Sequence, residues 1–423
     1  MAAHHSLAAV RRPWRTALPD DLARRAAHVA LDVARRLAGS TSTHDVESGA
    51  GCAVLFGQLD QHLPGQGWDV AARDSLAAAV RAAEQLDASH VALFGGLSNL
   101  AFAANAVSRQ GTRYRRLLAE LDSAVTKAAV EGGAAIARRP AGLWTDAFDV
   151  ISGAAGVGAY LLCRPDDAAL RAVLTGLVAL CGETDGLPNW HTAADAMIPG
   201  IPITQEFPDG VFNCGLAHGV PGPMALLALA ERAGVSVSGQ REAIERTARW
   251  LVANRSDDQW GPGWPSGVPM SGTKIPRPAQ NAWCYGSAGV ARSLWLAGDA
   301  LGDDSLRKLA TDAMAAVCDR PRSARHIDRS PGLCHGVAGA LQISLRFAQD
   351  TGEDVFAAAA ARFTEIVLQH YDENRRFGYG SVVEDGSLAD EPGLLDGAAG
   401  VALALLAGST GIAPDWDRML LLS

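Results

Sequence analysis

A cysteine and a histidine stand side by side in residues 330–341, which read SPGLCHGVAGAL. Cys334 and His335 offer sulfur and nitrogen, the donor atoms that protein zinc sites use most. Two ligands on consecutive residues make a weak site by themselves. A catalytic zinc ion is held by three protein ligands, with its fourth position open. At least one further ligand must therefore come from another part of the chain.

The turn that follows this pair recurs along the chain. At seven places the chain has the motif small-x-x-small, in which x is any residue, followed by an apolar, helix-forming run. The second small residues of these motifs are Gly51, Ser98, Gly156, Gly222, Gly289, Gly339 and Gly400. Neighbouring turns are 47 to 67 residues apart, which leaves room for two helices of about 10–14 residues with their loops. The spacing therefore predicts seven repeats of a helix pair.

The two helices of each repeat differ in polarity. Segments between the turns, such as 21–37 and 240–252, have apolar residues three and four positions apart and arginines on the other face, as in a surface helix. The runs after the turns, such as GVALALLA from Gly400, are apolar almost throughout and must be buried. The first and last turns are as apolar as the others, whereas an open solenoid needs polar end repeats. We therefore expect one domain over 1–423, an all-α α/α toroid of seven inner and seven outer helices.

Alignment of the repeats identifies a third candidate ligand beside Cys334 and His335. Cys284 occupies, one repeat earlier, the position that Cys334 holds. The inner helices should begin near one face of the ring, so Cys284, Cys334 and His335 are expected to converge on one zinc ion. A free cysteine is otherwise a common buried residue, and this is our interpretation of four others: Cys52, Cys163, Cys181 and Cys318.

Other repeats supply candidate acid–base groups. His218 holds the register position of His335, and Asp149 lies four residues before Gly153. Asp149 could instead cap a helix. Three further residues stay ambiguous: Asp396 as a helix cap, Glu47 as a site residue of a closed ring or a solvated carboxylate, and Cys214 as a ligand.

The turns DVISGAAG, NCGLAHGVPG, AWCYGSAG, LCHGVAG and LLDGAAG resemble the lanthionine synthetase C-like family, in particular its bacterial lanthipeptide cyclases, over essentially the whole chain. The resemblance implies an α/α toroid with one Zn²⁺ held by Cys284, Cys334 and His335, and an acid–base pair of Asp149 and His218. Such cyclases add a peptide cysteine to dehydroalanine or dehydrobutyrine and so close thioether rings. It therefore implies a dehydrated precursor peptide as substrate and a dehydratase as partner.

Two segments, of which 255–281 is rich in glycine, proline and tryptophan, are expected to lie over the active site and to form a groove for an extended peptide. Residues 188–212 have strand-like pieces and predict a small irregular, β-containing insert before the fourth inner helix, with His191 as an alternative site histidine. Residues 255–281 lead into Cys284. Many bacterial cyclases have an arginine four residues before the first zinc cysteine, where this chain has Gln280. We expect Arg277 to fold back over the zinc in its place; the alternative is a solvated loop arginine.

Two other functions stay open. A relative could hold peptide or glutathione on its zinc without cyclising it, and a protein prenyltransferase-type enzyme would use Asp396 rather than Cys284 as a ligand. The net charge of −9 gives no reason to expect nucleic-acid binding. The N-terminus lacks the apolar core of a signal peptide, and the most apolar tract, 394–407, is shorter than the roughly 20 residues of a spanning helix. We expect a cytoplasmic protein without an integral membrane segment, which could join a membrane-associated biosynthetic complex peripherally.

Overall fold

The computed structural model describes residues 13–40, 45–87, 89–164, 167–271, 281–383 and 386–423. Within these ranges the chain is mostly helical, as the sequence predicts. Its α-helices are α1 (Asp20–Ala38), α2 (Val46–His62), α3 (Trp68–Ala83), α4 (Leu97–Ala106), α5 (Arg115–Arg138), α6 (Ala154–Leu161), α7 (Asp167–Leu180), α8 (Pro202–Glu206), α9 (Pro221–Arg232), α10 (Gln240–Ala253), α11 (Ser287–Leu301), α12 (Asp304–Asp319), α13 (Val337–Thr351), α14 (Asp354–Gln369) and α15 (Ala398–Ser409).

Seven of the described helices form an inner ring, and the N-terminal end of each lies at one of the small-residue turns. These are α2, α4, α6, α9, α11, α13 and α15, and each packs on the next around the ring. The second glycine of a turn lets the chain fold back tightly over the helix start. A Cβ at Gly289 would collide with the carbonyl oxygen of Trp283, and one at Gly339 with that of Leu333. The recurring glycines therefore reflect close backbone packing at each inner-helix start.

Seven outer helices pair with these inner helices: α1, α3, α5, α7, α10, α12 and α14. Helix α1 shows the pattern. Its buried side, with Ala26, Ala30 and Val33, faces the ring, and Arg25 forms an exposed ion pair with Glu365 of α14. The sequence-predicted division into buried inner and amphipathic outer helices is confirmed.

The ring is closed. Helix α15 packs against both α13 and α2, and α1 packs against α15. Just before α1, the indole Nε1 of Trp14 donates to the carbonyl oxygen of Ala407 at 2.9 Å. The first and last repeats are therefore neighbours, as the apolar end repeats predicted.

The last residues of the chain fill the interior of the ring. A 3-10 helix, Asp415–Leu420, leads into the buried Leu421 and Leu422. Asp417 is fully buried and accepts hydrogen bonds from Gln342 and Arg346 of α13. The carbonyl oxygen of Leu422 accepts from Arg292 Nε of α11 at 2.8 Å, so this C-terminal plug connects α13 with α11 through polar contacts inside the core.

Short antiparallel strands interrupt the helical pattern. They are β1 (Glu183–Thr184), β2 (Leu187–Pro188), β3 (His191–Ala193), β4 (Gly210–Asn213), β5 (Gly267–Pro269), β6 (Ser381–Val382) and β7 (Leu388–Ala389). Strands β3 and β4, with α8 between them, precede α9 and form the predicted β-containing insert before the fourth inner helix; β5, which follows α10, pairs with β4 and completes a three-stranded sheet. None of the described helices is long and apolar enough to cross a bilayer.

Candidate active site

The ligand atoms of Cys284, Cys334 and His335 all lie within 4.8 Å of one another. Cys284 comes two residues before α11's N-cap, Gly286, whose φ of 112° favours glycine. Cys334 and His335 come directly before Gly336, the N-cap of α13. Cys284 is buried, Cys334 is partly buried and His335 is exposed. One side of the group is therefore open to solvent.

Backbone hydrogen bonds join neighbouring turns and set this convergence. From the second turn to the seventh, an N–H of one turn donates to a carbonyl of the next: Phe94 to Ile151 at 3.1 Å, Val150 to Ala217 at 3.0 Å, Ala217 to Cys284 at 3.2 Å, Cys284 to Cys334 at 3.1 Å and Cys334 to Leu395 at 2.9 Å. The side chains next to these links therefore gather at one end of the ring.

The donor set of this group fits zinc. Zn–S and Zn–N bonds are about 2.3 and 2.0–2.1 Å long, so the spacing is compatible with one tetrahedral ion that keeps one position open. The hydrogen bond with Cys284, followed by burial, raises the pKa of Cys334 well above its ordinary value. A divalent cation would supply the positive charge that two thiolates at this place require. The Nδ1 atom of His335 lies 3.4 Å from Asp396 Oδ1, so a carboxylate stands beside the imidazole ligand.

The structure also brings Asp149 and His218 together. Asp149 Oδ2 lies 2.7 Å from His218 Nδ1. Its other oxygen, Oδ1, accepts from the backbone N–H groups of Ser152 and Gly153, at 2.7 and 2.9 Å. Gly153 is the N-cap of α6, so the helix-cap interpretation of Asp149 is wrong. The carboxylate instead fixes the turn before the helix with one oxygen and orients the imidazole with the other.

This pair differs in exposure. The side chain of Asp149 is 2% exposed, whereas that of His218 is 37% exposed. We assign the proton to Nδ1, because that atom faces a carboxylate oxygen, which only accepts. The Nε2 atom is then the basic atom of the histidine and is available to a substrate.

Two residues that the sequence analysis gave no role lie beside His218. The Tyr285 ring centroid is 6.0 Å from that of His218, and its hydroxyl accepts a hydrogen bond from Asn213 Nδ2 at 3.1 Å. Asn213 Oδ1 in turn accepts from the Gly215 N–H at 2.9 Å. Tyr285 occupies the same register position as His218, and this equivalence could have identified it as a site residue from the sequence. Asn213 had no such signal, since the pairing of β4 with β5 places it.

A cavity of about 340 Å³ opens beside this cluster. His218, Tyr285 and Asn213 line one part of it, and the remainder is lined mainly by the insert and the residues before α6: Trp144, Thr145, Thr192, Ile201, Pro202, Ile203, Glu206, Val211 and Ser266. The cavity has a volume suited to amino-acid side chains of a peptide. It connects the exposed imidazole to a largely apolar wall.

Two other candidates have local roles in the structure. His191 is buried on β3, and its Nδ1 atom is 2.8 Å from the carbonyl oxygen of Pro188. Cys214 is buried, its sulfur donates to the carbonyl oxygen of Phe212, and it is outside the Cys284–Cys334–His335 group. Arg277 and Gln280 lie outside the described residues.

The two ambiguous carboxylates also have defined positions. Glu47 is partly buried and accepts two backbone hydrogen bonds, so the solvated-carboxylate interpretation is wrong. Asp396 precedes Gly397, which is the N-cap of α15, and no side chain caps that helix. Asp396 therefore faces His335 rather than capping the seventh inner helix.

Comparisons with known proteins agree with this architecture. A family described as "Lanthionine synthetase C-like protein" matches residues 43–421. The nisin biosynthesis protein NisC of Lactococcus lactis subsp. lactis is 25% identical over 245 residues, which cover 55% of this chain and 57% of that protein. The match thus spans little more than half of the curated relative. The solved structure of a nisin cyclase superposes with a TM-score of 0.77 at 20% identity, over 96% of this chain and 98% of that one.

Proposed function

The chain belongs to the lanthionine synthetase C-like family, and from this premise we propose that it is a zinc-dependent lanthipeptide cyclase. In this proposal Cys284, Cys334 and His335 bind one Zn²⁺. The substrate is a dehydrated precursor peptide supplied by a dehydratase. The observation that carries the proposal is the hydrogen-bonded Asp149–His218 pair. His218 belongs to the fourth small-residue turn, which is next to the turn of Cys284, so the pair and the Cys–Cys–His group lie at the same end of the ring.

Zinc in this donor set would lower the pKa of a substrate thiol that takes its open position, so that the sulfur is a thiolate at neutral pH. The sulfur lone pair then forms a C–S bond to the β-carbon of dehydroalanine or dehydrobutyrine. The π electrons of the alkene move towards the carbonyl and give an enolate. One proton must finally reach the α-carbon, and the reaction then balances as an isomerisation of the peptide.

His218 is suited to move that proton. Its Nδ1 atom is held by Asp149, and the side chain lines the cavity. The imidazole can take the thiol proton and return one to the α-carbon. The buried carboxylate of Asp149 fixes the ring orientation and stabilises the imidazolium that forms in between. Tyr285 and Asn213 form the polar part of the cavity wall beside the histidine.

The test is incubation of the zinc-loaded protein with a dehydrated peptide that carries one cysteine. Cyclisation leaves the mass unchanged, so the readout is the loss of alkylatable thiol with time. We expect the thiol to disappear with the wild-type protein, and far more slowly with His218→Ala. Retained zinc without thiol loss on any dehydrated peptide would reject the cyclase and favour the non-cyclising scaffold. A prenyltransferase-type site is disfavoured, because Cys284 rather than Asp396 joins Cys334 and His335.

A further inference from the structure

Glu47 stands where the pattern of turn-to-turn hydrogen bonds changes. Five links join the second turn to the seventh, and each has a backbone carbonyl as acceptor. The first repeat begins differently, because α2 already starts at Val46 with Asp45 as its N-cap. Glu47 is therefore inside the first turn of the helix. Among the described residues, no such link continues from the N–H groups of the seventh turn to a backbone carbonyl of the first turn, which is the next one around the closed ring.

The carboxylate of Glu47 replaces that carbonyl. Its Oε1 atom accepts from the backbone N–H groups of Leu394 and Leu395, at 2.7 and 3.1 Å. Gly393 leaves room for the side chain, because a Cβ there would overlap Oε2. Helix and turn also approach closely at Gly51, where a Cβ would lie 3.0 Å from the Leu394 backbone nitrogen. Glu47 thus fastens the segment before α15 to α2 in a tight contact, and Cys52 Sγ of α2 adds a hydrogen bond to the carbonyl oxygen of Pro392.

The seventh turn also contacts the residues of the candidate metal group. The carbonyl oxygen of Leu395 accepts from the N–H groups of Leu333 and Cys334, at 2.8 and 2.9 Å. The next residue, Asp396, is the carboxylate 3.4 Å from His335 Nδ1. Two of the three proposed ligands are therefore held by a segment that Glu47 fastens to the first helix.

We infer that Glu47 is a positioning residue of the zinc centre: by fixing Leu394 and Leu395 it holds the turn that orients Cys334 and His335. This inference rests on the zinc site proposed above but does not depend on cyclase activity. Partners in the second shell of metal sites typically change metal affinity 10- to 100-fold. The effect of Glu47 should fall in that range.

The experiment compares zinc affinity, measured by competition with a chromophoric chelator, in the full-length protein and its variants. Glu47→Ala should bind zinc about 10- to 100-fold more weakly. Glu47→Gln should stay within about 3-fold of wild type, because its amide oxygen can still accept from both N–H groups. Cobalt substitution gives a second readout: the thiolate-to-metal absorption of the Ala variant should shift, whereas that of the Gln variant should match wild type.

Asp303→Ala is the matched control. Asp303 also accepts two backbone N–H groups, those of Ser305 and Leu306, but it caps the outer helix α12. Its loss should lower stability without changing zinc affinity. If Glu47→Ala does not fold, Gly393→Ala displaces the carboxylate instead and should weaken zinc binding. Wild-type affinity in the folded Glu47 or Gly393 variant, or an equal loss in Asp303→Ala or Glu47→Gln, would overturn the inference. A wild-type protein that binds no zinc would instead reject the proposed function.

Discussion

Asp149 and His218 are 69 residues apart in sequence and share a hydrogen bond of 2.7 Å between Oδ2 and Nδ1. The carboxylate is buried and is hydrogen-bonded through both oxygens, so it cannot rotate without losing a backbone contact. The turn before α6 therefore fixes the orientation of the imidazole through Asp149. The proposed acid–base group is therefore built from two inner-helix starts rather than from one.

We predict that Asp149→Asn keeps the fold and the zinc but cyclises about 10²–10⁴-fold more slowly. The amide oxygen can keep the bonds from Ser152 and Gly153, whereas the amide nitrogen would face His218 Nδ1 as a donor. The imidazole must then carry its proton on Nε2, the atom that should act as base. Single-turnover thiol loss measures the rate, and elemental analysis measures the zinc. A wild-type rate would leave Asp149 with a purely structural role.

We predict that Cys284→Ala, Cys334→Ala and His335→Ala each lose or weaken the bound zinc. A structural zinc site has four protein ligands, whereas this site has three. Removal of one leaves only two, which bind zinc weakly. Elemental analysis after dialysis gives the zinc content. Cys214→Ala is the matched control, because this cysteine is buried four residues before His218 in the sequence but is outside the group. Full zinc content in the Cys284 variant would reject the ligand set.

The stability of the metal-free protein should depend on Glu47 in a pH-sensitive way. Burial is the largest cause that raises the pKa of Glu47 from 4.5 to about 7. The folded state therefore binds this proton more tightly than the unfolded state, so the stabilising contribution is complete below about pH 4.5 and is lost as pH rises to about 7. Glu47→Gln removes this dependence. Its urea midpoint should therefore improve relative to wild type as the pH is raised from 5 to 8.

Asp303→Asn is the control, because the pKa of Asp303 is shifted in the direction opposite to that of Glu47. Hydrogen bonds from Ser305 and Leu306 lower the pKa of Asp303, so its contribution is complete above its unfolded pKa and is lost only in acid. The difference from wild type should stay constant between pH 5 and 8. Both comparisons are made with chelator present, so that zinc binding does not contribute. A constant difference for Glu47→Gln as well would contradict the raised pKa.

Arg277 is our proposed replacement for the family arginine that is absent at Gln280. A guanidinium can stabilise an enolate or a carboxylate by charge, whereas a glutamine amide only forms hydrogen bonds. Arg277→Ala should therefore slow cyclisation strongly, Gln280→Ala should change it little, and Gln280→Arg should partly rescue the Arg277 variant. Thiol-loss rates measure all three. Normal cyclisation by Arg277→Ala would mean that the site works without a cation there.

The repeat register made much of the fold and site predictable. Cys284 and Cys334 could be paired from sequence because their turns are equivalent, and the backbone link between them follows the same equivalence. Glu47 could not be interpreted this way, because its helix starts before the turn. Asn213 is placed by the pairing of β4 with β5, and Asp149 acts through both oxygens, which no spacing along the chain reveals.

The C-terminal plug gives a prediction on stability. Asp417 is fully buried and accepts from Arg346 Nε and Nη2, at 2.6 and 2.7 Å, and from Gln342 Nε2 at 2.6 Å. The Arg346 side chain is only 9% exposed. Removal of one partner of such a buried pair leaves an uncompensated charge and typically costs about 3–5 kcal/mol. Asp417→Ala should therefore lose a large share of the free energy of unfolding, or fail to fold.

Asp417→Asn and Asp312→Ala make this prediction specific. The Asn variant keeps one acceptor and the shape of the side chain, so it should lose less stability than the Ala variant. Asp312 forms an ion pair with Lys308 on the surface of α12, and exposed pairs contribute at most about 1 kcal/mol. Urea unfolding followed by circular dichroism measures each loss. If Asp417→Ala and Asp312→Ala were equally stable, the arginine would have to find another partner or water, and the plug would not be fixed by its charge pair.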